Sequence, residues 1–339
     1  MTLIQCLHQF FSYYLLKIKG VSGHTVEVYK KSFELFLIFA SEYQSCPVKS
    51  LQLEHLSTEL VVDFLEYLEK ERNNSVRTRN LRLASLKSLA KMIRLIYPEY
   101  REYGDRLLLI PQKRAQKKLI GFIYQEEILE VLATVNLKQK EGIRDYAILN
   151  LLFDSGARAA EVAALNIDYF DYQNKTLAIL GKGNRFRQVT LWPKTADLLK
   201  LYIEKHRATP MFCCAHRLFI NQRGGQFTRH GINRICKKYL KLTLPQKRLD
   251  VLSPAHSFRH SCAMNMLASG ASITDIKNRL GHENIQSTMT YLKMEMRQKR
   301  EVQKKFLEYT QTVLSKDPKI EELVDWENKD EILTWLDGL

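Results

Sequence analysis

Three short segments carry residues whose types and spacing could perform chemistry on a phosphate. In the first, Arg158 follows Gly156, which can stop a helix, and precedes Glu161 by three residues. Small apolar residues surround this arginine, and a cation in such a setting needs an anionic partner. The partner is either a bound anion or a neighbouring carboxylate, Glu161 or Asp154, and the sequence leaves both interpretations open.

The second segment places a histidine and an arginine on one helical face. Ser253 and Pro254 suit the cap and the first turn of a helix, and His256 and Arg259 lie three residues apart along it. The arginine can donate two hydrogen bonds to one phosphate, and the histidine can donate or accept a proton. Because this spacing is common, it indicates a site only in combination with other residues.

The third segment joins a histidine at a turn to a tyrosine nine residues later. Gly281 ends a helix, which puts His282 at an abrupt turn, and Ser287 can cap the short helix that carries Tyr291. A tyrosine hydroxyl with its ordinary pKa of about 10 is a poor nucleophile, so it needs cationic neighbours. The chain has 16 tyrosines, and most of them must be packing or surface residues.

The elements that must position these residues are mainly helices. Residues 1–110 show apolar positions at three- and four-residue spacing, which predicts a helical domain whose pattern ends near Pro98. Ser75 can cap one of its helices. The apolar residues of this helix face a core, and its cations lie at the other positions. The cations form either an ordinary solvated face or a DNA-binding surface, and they are Arg77, Arg79, Arg82, Lys87, Lys91 and Arg94.

A basic segment that contains Pro111, residues 111–122, predicts a linker to a second helical domain over residues 123–315. Residues 176–180 and 185–191 read there as two strands joined by a glycine-rich turn. The predicted fold is therefore mainly α with a small β-hairpin. Thr228 can cap a helix that offers polar side chains to solvent or to a DNA groove, namely Arg229, Asn233, Arg234 and Lys237.

The composition indicates a polyanionic partner and a reducing compartment. The 52 Lys and Arg exceed the 37 Asp and Glu by 15, and the excess lies mostly in residues 116–315, whereas residues 316–339 are acidic. The absence of disulfide spacing, of a secretory leader and of a membrane-spanning run predicts a cytoplasmic protein. No metal site is predicted, although one cluster could alternatively bind zinc: His206, Cys213, Cys214 and His216.

Taken in order, the motifs resemble those of the tyrosine recombinases, the family of phage integrases and Xer-like proteins. The motifs are an arginine after a glycine turn with glutamate three residues on, GKG in a hairpin, HxxRH, LGH, and a tyrosine nine residues after that histidine. The resemblance runs from about Leu3 to about Leu314. Ala157, Ala160 and Phe258 depart from the family pattern, but none of these departures removes a chemical group.

The resemblance implies a two-domain DNA clamp that cuts and rejoins DNA through a 3′-phosphotyrosine intermediate, with no cofactor. It makes Tyr291 the nucleophile and makes Arg158 and Arg259 the pair that holds the phosphate oxygens. Glu161 would support the first arginine. The product would be a 3′ phosphotyrosine and a free 5′ hydroxyl, so the bond energy is conserved.

The same resemblance assigns proton transfer and DNA contact to further residues. His256 would assist proton transfer at the tyrosine, His282 would hydrogen-bond the phosphate, and Lys182 on the hairpin would protonate the departing 5′ oxygen. Arg185 and Arg187 on the same hairpin would contact DNA.

The implied partners are double-stranded DNA with an inverted-repeat core site and three further copies in a synaptic homotetramer. An accessory protein or a partner recombinase is a further possibility, and no membrane is implied. Because the first helix begins almost at Met1, the resemblance is to simple recombinases without an arm-binding domain. Apolar residues of the tail, 316–339, would pack on a neighbouring protomer.

The biological role expected from the resemblance is integration, excision or transposition of a mobile element. Xer-like resolution of replicon dimers and DNA relaxation of the type IB topoisomerase kind are alternatives with related chemistry. A non-enzymatic DNA-binding regulator is the alternative from another functional class. Under this alternative, Tyr291→Phe would leave all activity intact.

Overall fold

The computed structural model describes residues 1–115 and 121–292, and the chain divides into two compact units, Met1–Lys118 and Leu119–Leu339. The division falls within the predicted linker, residues 111–122. Both units are mainly helical, and the second contains a three-stranded antiparallel sheet, so the predicted fold class is confirmed. Within the described ranges, no helix is both long enough and apolar enough to cross a membrane.

Four of the five α-helices of the first unit begin where a side-chain oxygen accepts a free backbone N–H. The hydroxyls of Ser57 and Ser75 accept from Leu60 and Thr78 in this way. The helices bury aromatic and branched residues such as Phe36 against one another. They are α1 (Leu3–Gln9), α2 (Gly23–Tyr43), α3 (Thr58–Lys70), α4 (Val76–Ile96) and α5 (Arg101–Leu109), with a π-helical segment at Phe10–Ile18.

The helix α5 corrects the prediction that the helical pattern ends near Pro98. A short 3₁₀ turn, Pro98–Tyr100, leads directly into α5, which packs on α4. The contact uses Gly104, where an added Cβ would lie 2.9 Å from the backbone oxygen of Ala90. Because a glycine makes this close approach, a search for regularly spaced large apolar residues does not reveal the helix.

The sequence suggested that the cations of α4 form one exposed face. In the structure only some of them are exposed. Arg77 and Lys91 are exposed, but Arg79 is buried and donates a hydrogen bond to the carbonyl of Pro111 at 3.4 Å. The ammonium of Lys87 donates to the backbone oxygen of Leu108 at 2.7 Å. Arg82 is half-buried and bonds within the unit, and Arg94 pairs with Asp105. Arg79 and Lys87 therefore tie chain segments together rather than extending freely from the surface.

In the second unit, the helices and the sheet surround one large apolar core. Pro193 and Pro254 occupy the first turns of two of these helices, where a missing N–H costs nothing. The helices are α6 (Gln125–Ala133), α7 (Gly142–Ser155), α8 (Ala159–Ala163), α9 (Pro193–Leu201), α10 (Arg229–Thr243), α11 (Gln246–Leu249), α12 (Pro254–Ala268) and α13 (Ile273–Leu280).

The sheet contains the predicted hairpin together with one further short strand. Its strands are β1 (Phe170–Asp171), β2 (Thr176–Leu180) and β3 (Phe186–Thr190), in that spatial order. The hairpin pairs Leu180 with Phe186, and its turn runs through Gly183 and Asn184, which both adopt positive φ angles, 72° and 59°. The backbone of Lys182 lies in this turn.

Two glycines end the helices that approach the predicted site. The helix α7 stops at Gly156 with φ of 61°, and α13 stops at Gly281 with φ of 65°. These angles are costly for residues with a side chain. At Gly156 the packing is also tight, because an added Cβ would lie 2.5 Å from Cδ2 of Leu280. The two glycines thus allow both helix ends to come together.

We expect Gly156→Ala to lower the free energy of unfolding by roughly 2–5 kcal/mol. About 1–2 kcal/mol comes from the left-handed backbone and about 1–3 kcal/mol from the overlap with Leu280. The matched control is Gly270→Ala, because Gly270 has φ of 84° but no atom within 4 Å of an added Cβ. Urea denaturation should show the larger loss at Gly156, and equal losses would contradict the close packing described above.

Candidate active site

Arg158 stands at the N-terminus of α8 and is held there by Glu161. The backbone N–H of Arg158 donates to Oε2 of Glu161 at 2.9 Å, and its guanidinium donates to Oε1 at 2.7 Å. Arg187 on β3 donates to the same carboxylate at 2.7 Å. Of the two partners that the sequence left open, Arg158 therefore pairs with Glu161 within the protein.

The carboxylate of Glu161 is a buried anion between two cations. Burial alone would raise its pKa, but hydrogen bonds from Arg187 and from the backbone and side chain of Arg158 lower it on balance. Glu161 is therefore ionised near neutral pH. It fixes Arg187 and one edge of Arg158, whose side chain remains 40% exposed and can bind a further anion.

Arg259 on α12 bridges the ends of the two glycine-terminated helices. Its guanidinium donates to the backbone oxygen of Gly156 at 2.7 Å and to that of Leu280 at 2.8 Å, and the residue is 1% exposed. Burial and the nearby Arg158 lower its pKa to about 10, which still leaves it cationic at pH 7. Arg259 thus places a fixed positive charge where α7, α12 and α13 meet.

A cleft of about 390 Å³ opens beside these arginines. Its wall includes Arg158 and His282 together with two cations of the hairpin, Arg185 and Arg187, whereas Glu283 contributes an acid at the rim. The three guanidinium groups give the cleft an excess of positive charge. Such a cleft is suited to a phosphate group.

His282 lies at the turn after Gly281 and is oriented by a buried threonine. Its Nδ1 is 2.8 Å from Oγ1 of Thr288, which is fully buried. Burial, Arg259 and Arg158 lower the pKa of His282 to about 4, so the ring is neutral at pH 7. If the threonine hydroxyl donates to Nδ1, Nε2 carries the proton and can donate a hydrogen bond to a ligand.

Tyr291 lies beside this turn but is 1% exposed. Its ring is parallel to that of His282, with centroids 6.3 Å apart, and its hydroxyl is 3.0 Å from Nδ1 of His260. Burial raises the pKa of the hydroxyl to about 12, although Arg259 and Arg158 act in the opposite direction. The hydroxyl is therefore protonated at pH 7.

His260, rather than His256, is the histidine that contacts the tyrosine hydroxyl. His256 is exposed, and its ring lies 4.4 Å from that of His260 in an edge-to-face arrangement. The predicted proximity of His256 and Arg259 on α12 is retained, but His260 received no role from the sequence. It could have been found there, because residues four apart on a helix share a face.

Two predicted caps differ in the structure. Ser287 lies inside the helical segment 286–292, and the side chain of Asn284 accepts the backbone N–H of Gln286 instead. Ser253 precedes α12 as predicted, but its side chain makes no capping bond. In both places neighbouring polar residues compete for the same backbone groups.

Asp154, which the sequence offered as an alternative partner of Arg158, is buried and bonds to other segments near the site. Asp154 on α7 accepts a hydrogen bond from Arg279 of α13 at 2.7 Å and another from the backbone N–H of Trp192 at 2.8 Å. These bonds join α7, α13 and the end of β3. They hold the segment that carries Gly281 and His282.

The remaining predicted DNA-binding residues lie on α10, which Thr228 caps as expected. Arg229, Arg234 and Lys237 are exposed on this helix. Asn233 is half-buried, and its Oδ1 accepts the backbone N–H of Ala255 at 3.2 Å. The described structure thus leaves three of the four side chains available at the surface.

The possible zinc cluster finds no support in the parts of the chain that the structure describes. No three His, Cys, Asp or Glu side chains are grouped there so that they could hold a metal ion. Cys213 and Cys214 have their sulfur atoms 3.7 Å apart and are both free thiols.

We expect the stability of the protein to fall as the pH decreases from 6.5 toward 4. The pKa of His282 is lowered to about 4, so between these values the unfolded chain binds protons that the folded chain does not. Urea denaturation at intervals between pH 7 and pH 4 would measure the loss, and His282→Asn should make it smaller. An identical pH dependence in wild type and His282→Asn would contradict the lowered pKa.

Comparisons with known proteins match both parts of the chain to one family. The sequence profile of the phage integrase family matches residues 121–298, and that of the N-terminal SAM-like domain of phage integrases matches residues 7–94. The chain is 30% identical to the integrase/recombinase y4rC of Sinorhizobium fredii, over 86% of this chain and 87% of that protein. It is 30% identical to the tyrosine recombinase XerC of Chlamydia caviae, over 85% and 94%.

A solved structure shows the same fold at lower sequence identity. The XerH site-specific recombinase bound to a palindromic difH substrate is 18% identical, with a TM-score of 0.64 over 88% of this chain and 87% of that one. The family profile covers more than half of the 339 residues, and its range includes Arg158, Arg259, His282 and Tyr291. The chain belongs to the phage integrase family, the tyrosine recombinases.

Proposed function

We propose that this protein is a site-specific DNA recombinase that cleaves and rejoins DNA with Tyr291 as its nucleophile. The observation that carries the proposal is the convergence of separate segments at one point. Arg259 bonds the ends of α7 and α13, while Arg158 and His282 line one cationic cleft. The ring of Tyr291 lies 6.3 Å from that of His282.

In the proposed reaction the scissile phosphate binds in the cleft. Arg158 and Arg259 stabilise the negative charge that develops on the non-bridging oxygens, and His282 donates a hydrogen bond to one of them. The oxygen of Tyr291 forms a bond to phosphorus as the bond to the 5′ oxygen breaks. The reverse attack by a 5′ hydroxyl rejoins the strand and releases the tyrosine.

Two protons must move in each cleavage step. One leaves the hydroxyl of Tyr291, and His256 at the exposed end of the site is the proposed group that assists its transfer. The other is given to the departing 5′ oxygen, for which we propose Lys182, whose backbone lies in the turn of the hairpin. Glu161 acts through Arg158, because it holds one edge of that guanidinium.

The proposed DNA contacts extend from the cleft onto neighbouring surfaces. Arg185 is exposed at the hairpin and also lines the cleft. The exposed cations of α10 are positioned to read a groove or to bind phosphates, and Arg77 and Lys91 of the first unit would add phosphate contacts. Arg187 is assigned instead to the support of Glu161.

The proposed partner is double-stranded DNA with an inverted-repeat core site, on which four copies assemble. The tail that was predicted to pack between copies, residues 316–339, lies outside the described residues. Mobile-element integration, excision or transposition remains the expected role. Resolution of replicon dimers is the alternative role. The similar proteins include one named as an integrase/recombinase and one named as the tyrosine recombinase XerC.

Covalent trapping tests the proposal. Wild type and Tyr291→Phe would be incubated with nicked duplexes from the DNA that flanks the gene, and the products separated on denaturing gels. We expect a slowly migrating protein–DNA adduct in wild type alone. Binding without any adduct on all of these duplexes would contradict the proposal, and relaxation of plasmids without strand exchange would favour a topoisomerase.

A further inference from the structure

We propose that His260 is a positioning residue that holds the hydroxyl of Tyr291 away from the cleft when no DNA is bound. This inference rests on the proposed function of Tyr291 as the nucleophile. It assigns a task to a residue that contacts Tyr291 but has no part in the proposed reaction.

The first observation is the burial of the tyrosine. Tyr291 is 1% exposed and belongs to a small apolar cluster with Met264, Ile276 and Leu280. Among the described residues that line the cleft, Arg158 and His282 are present but Tyr291 is not. Tyr291 is therefore not exposed at the wall of the cleft in this arrangement, which indicates that it moves toward a bound phosphate before it attacks.

The second observation is the state of the imidazole. Nδ1 of His260 lies 3.0 Å from the hydroxyl of Tyr291, and Nε2 is buried with no hydrogen-bond partner in the described part of the chain. A buried polar atom without a partner is destabilising, so such atoms are rare in folded proteins. The bond to Tyr291 is thus the one polar contact that this ring makes among the described residues, which indicates that its purpose concerns the tyrosine.

The third observation separates holding the tyrosine from accepting its proton. Burial, followed by the neighbouring His256, Arg259 and His282, lowers the pKa of His260 to about 3. Burial raises that of Tyr291 to about 12. Both groups are therefore neutral in the DNA-free protein, and their contact is a hydrogen bond between a neutral imidazole and a neutral hydroxyl.

The release of this bond should therefore be one step of activation. When DNA brings a phosphate to Arg158 and Arg259, the hydroxyl exchanges His260 for the phosphate. A hydrogen bond of ordinary net strength changes such an equilibrium by about threefold to tenfold. Variants that lack the bond should expose Tyr291 more often by about this factor.

Nitration of the DNA-free protein tests the inference without relying on recombination. Tetranitromethane would be applied to wild type, His260→Phe, His260→Leu and His260→Asn, and nitrated peptides quantified by mass spectrometry. The asparagine amide can restore a hydrogen bond near the position of Nδ1. An internal control is Tyr239, which is 3% exposed and donates its hydroxyl to Asp145 at 3.1 Å.

We expect nitration of Tyr291 to rise about threefold to tenfold in His260→Phe and His260→Leu, to return toward wild type in His260→Asn, and to leave Tyr239 unchanged. An unchanged rate at Tyr291 in the first two variants would overturn the inference. A parallel rise at Tyr239 would also overturn it, because general loosening of the fold would then explain the result.

Single-turnover trapping on a nicked duplex provides the functional test. We expect His260→Leu to form the covalent adduct about threefold to tenfold faster than wild type at saturating DNA, with an unchanged Kd for DNA. Slower adduct formation would overturn the inference, since the bond would then assist attack. If wild type forms no adduct while the nitration results are as expected, the proposed function fails and the hydrogen-bonding role of His260 stands.

Discussion

Replacement of Arg259 by lysine is expected to slow strand cleavage by about 10²–10³-fold, the range associated with loss of one preorganised donor to a developing oxyanion. The guanidinium already donates to the carbonyls of Gly156 and Leu280 and must also face the phosphate. A lysine ammonium keeps the charge but cannot reproduce this planar, forked geometry. The rate would be measured in single turnover at saturating DNA.

The control for Arg259→Lys is Arg223→Lys, because Arg223 is exposed on a loop and has no assigned role in the site. This control should cleave at the wild-type rate. Arg259→Lys should retain binding to DNA, since the other cations of the cleft remain. Cleavage by Arg259→Lys within a few fold of wild type would show that charge alone, rather than the fork, is required.

Glu161→Gln is expected to have the second largest effect, a loss of about 10-fold to 100-fold in the cleavage rate. The substitution preserves shape but removes the negative charge between Arg158 and Arg187, where each charged hydrogen bond contributes about 1.5–3 kcal/mol. The guanidinium of Arg158 would then lose the charged hydrogen bond that holds one of its edges in place. Single-turnover cleavage and urea denaturation would separate the effect on the site from the effect on the fold.

The exposed Glu130 supplies the matched control, since Glu130→Gln removes the same charge from α6 outside the site. A double-mutant cycle with Arg187→Met would test the contact directly. If the two residues act together, the double variant should lose less cleavage than the sum of the single losses. Additive losses, or a wild-type rate in Glu161→Gln, would contradict the supporting role of this carboxylate.

The sequence predicted the parts of the site that depend on local chemistry. Gly156 and Gly281 end their helices with positive φ, as their positions indicated, and the hairpin forms around its glycine-rich turn. The pair of Arg158 and Glu161 was one of the alternatives that the residues left open, and the spacing of three residues allows it. The family resemblance added the roles that local patterns could not supply.

What the sequence could not predict depends on contacts between distant segments. Arg79 is drawn inward by Pro111, and Arg279 reaches Asp154 from 125 residues away. His260 contacts Tyr291 across 31 residues, and although spacing places His260 on one helical face with His256, it does not identify Tyr291 as the partner. A count of charges along a helix likewise cannot separate a cation that faces solvent from one that binds a carbonyl.

The most direct measurement of the central claim is the identity of the amino acid that becomes attached to DNA. Wild-type protein would be trapped on a nicked duplex, digested with nuclease and protease, and the modified peptide sequenced by mass spectrometry. We predict a residual nucleotide on the oxygen of Tyr291, and no modified peptide from Tyr291→Phe. Attachment to any other residue, or an adduct that persists in Tyr291→Phe, would contradict the account.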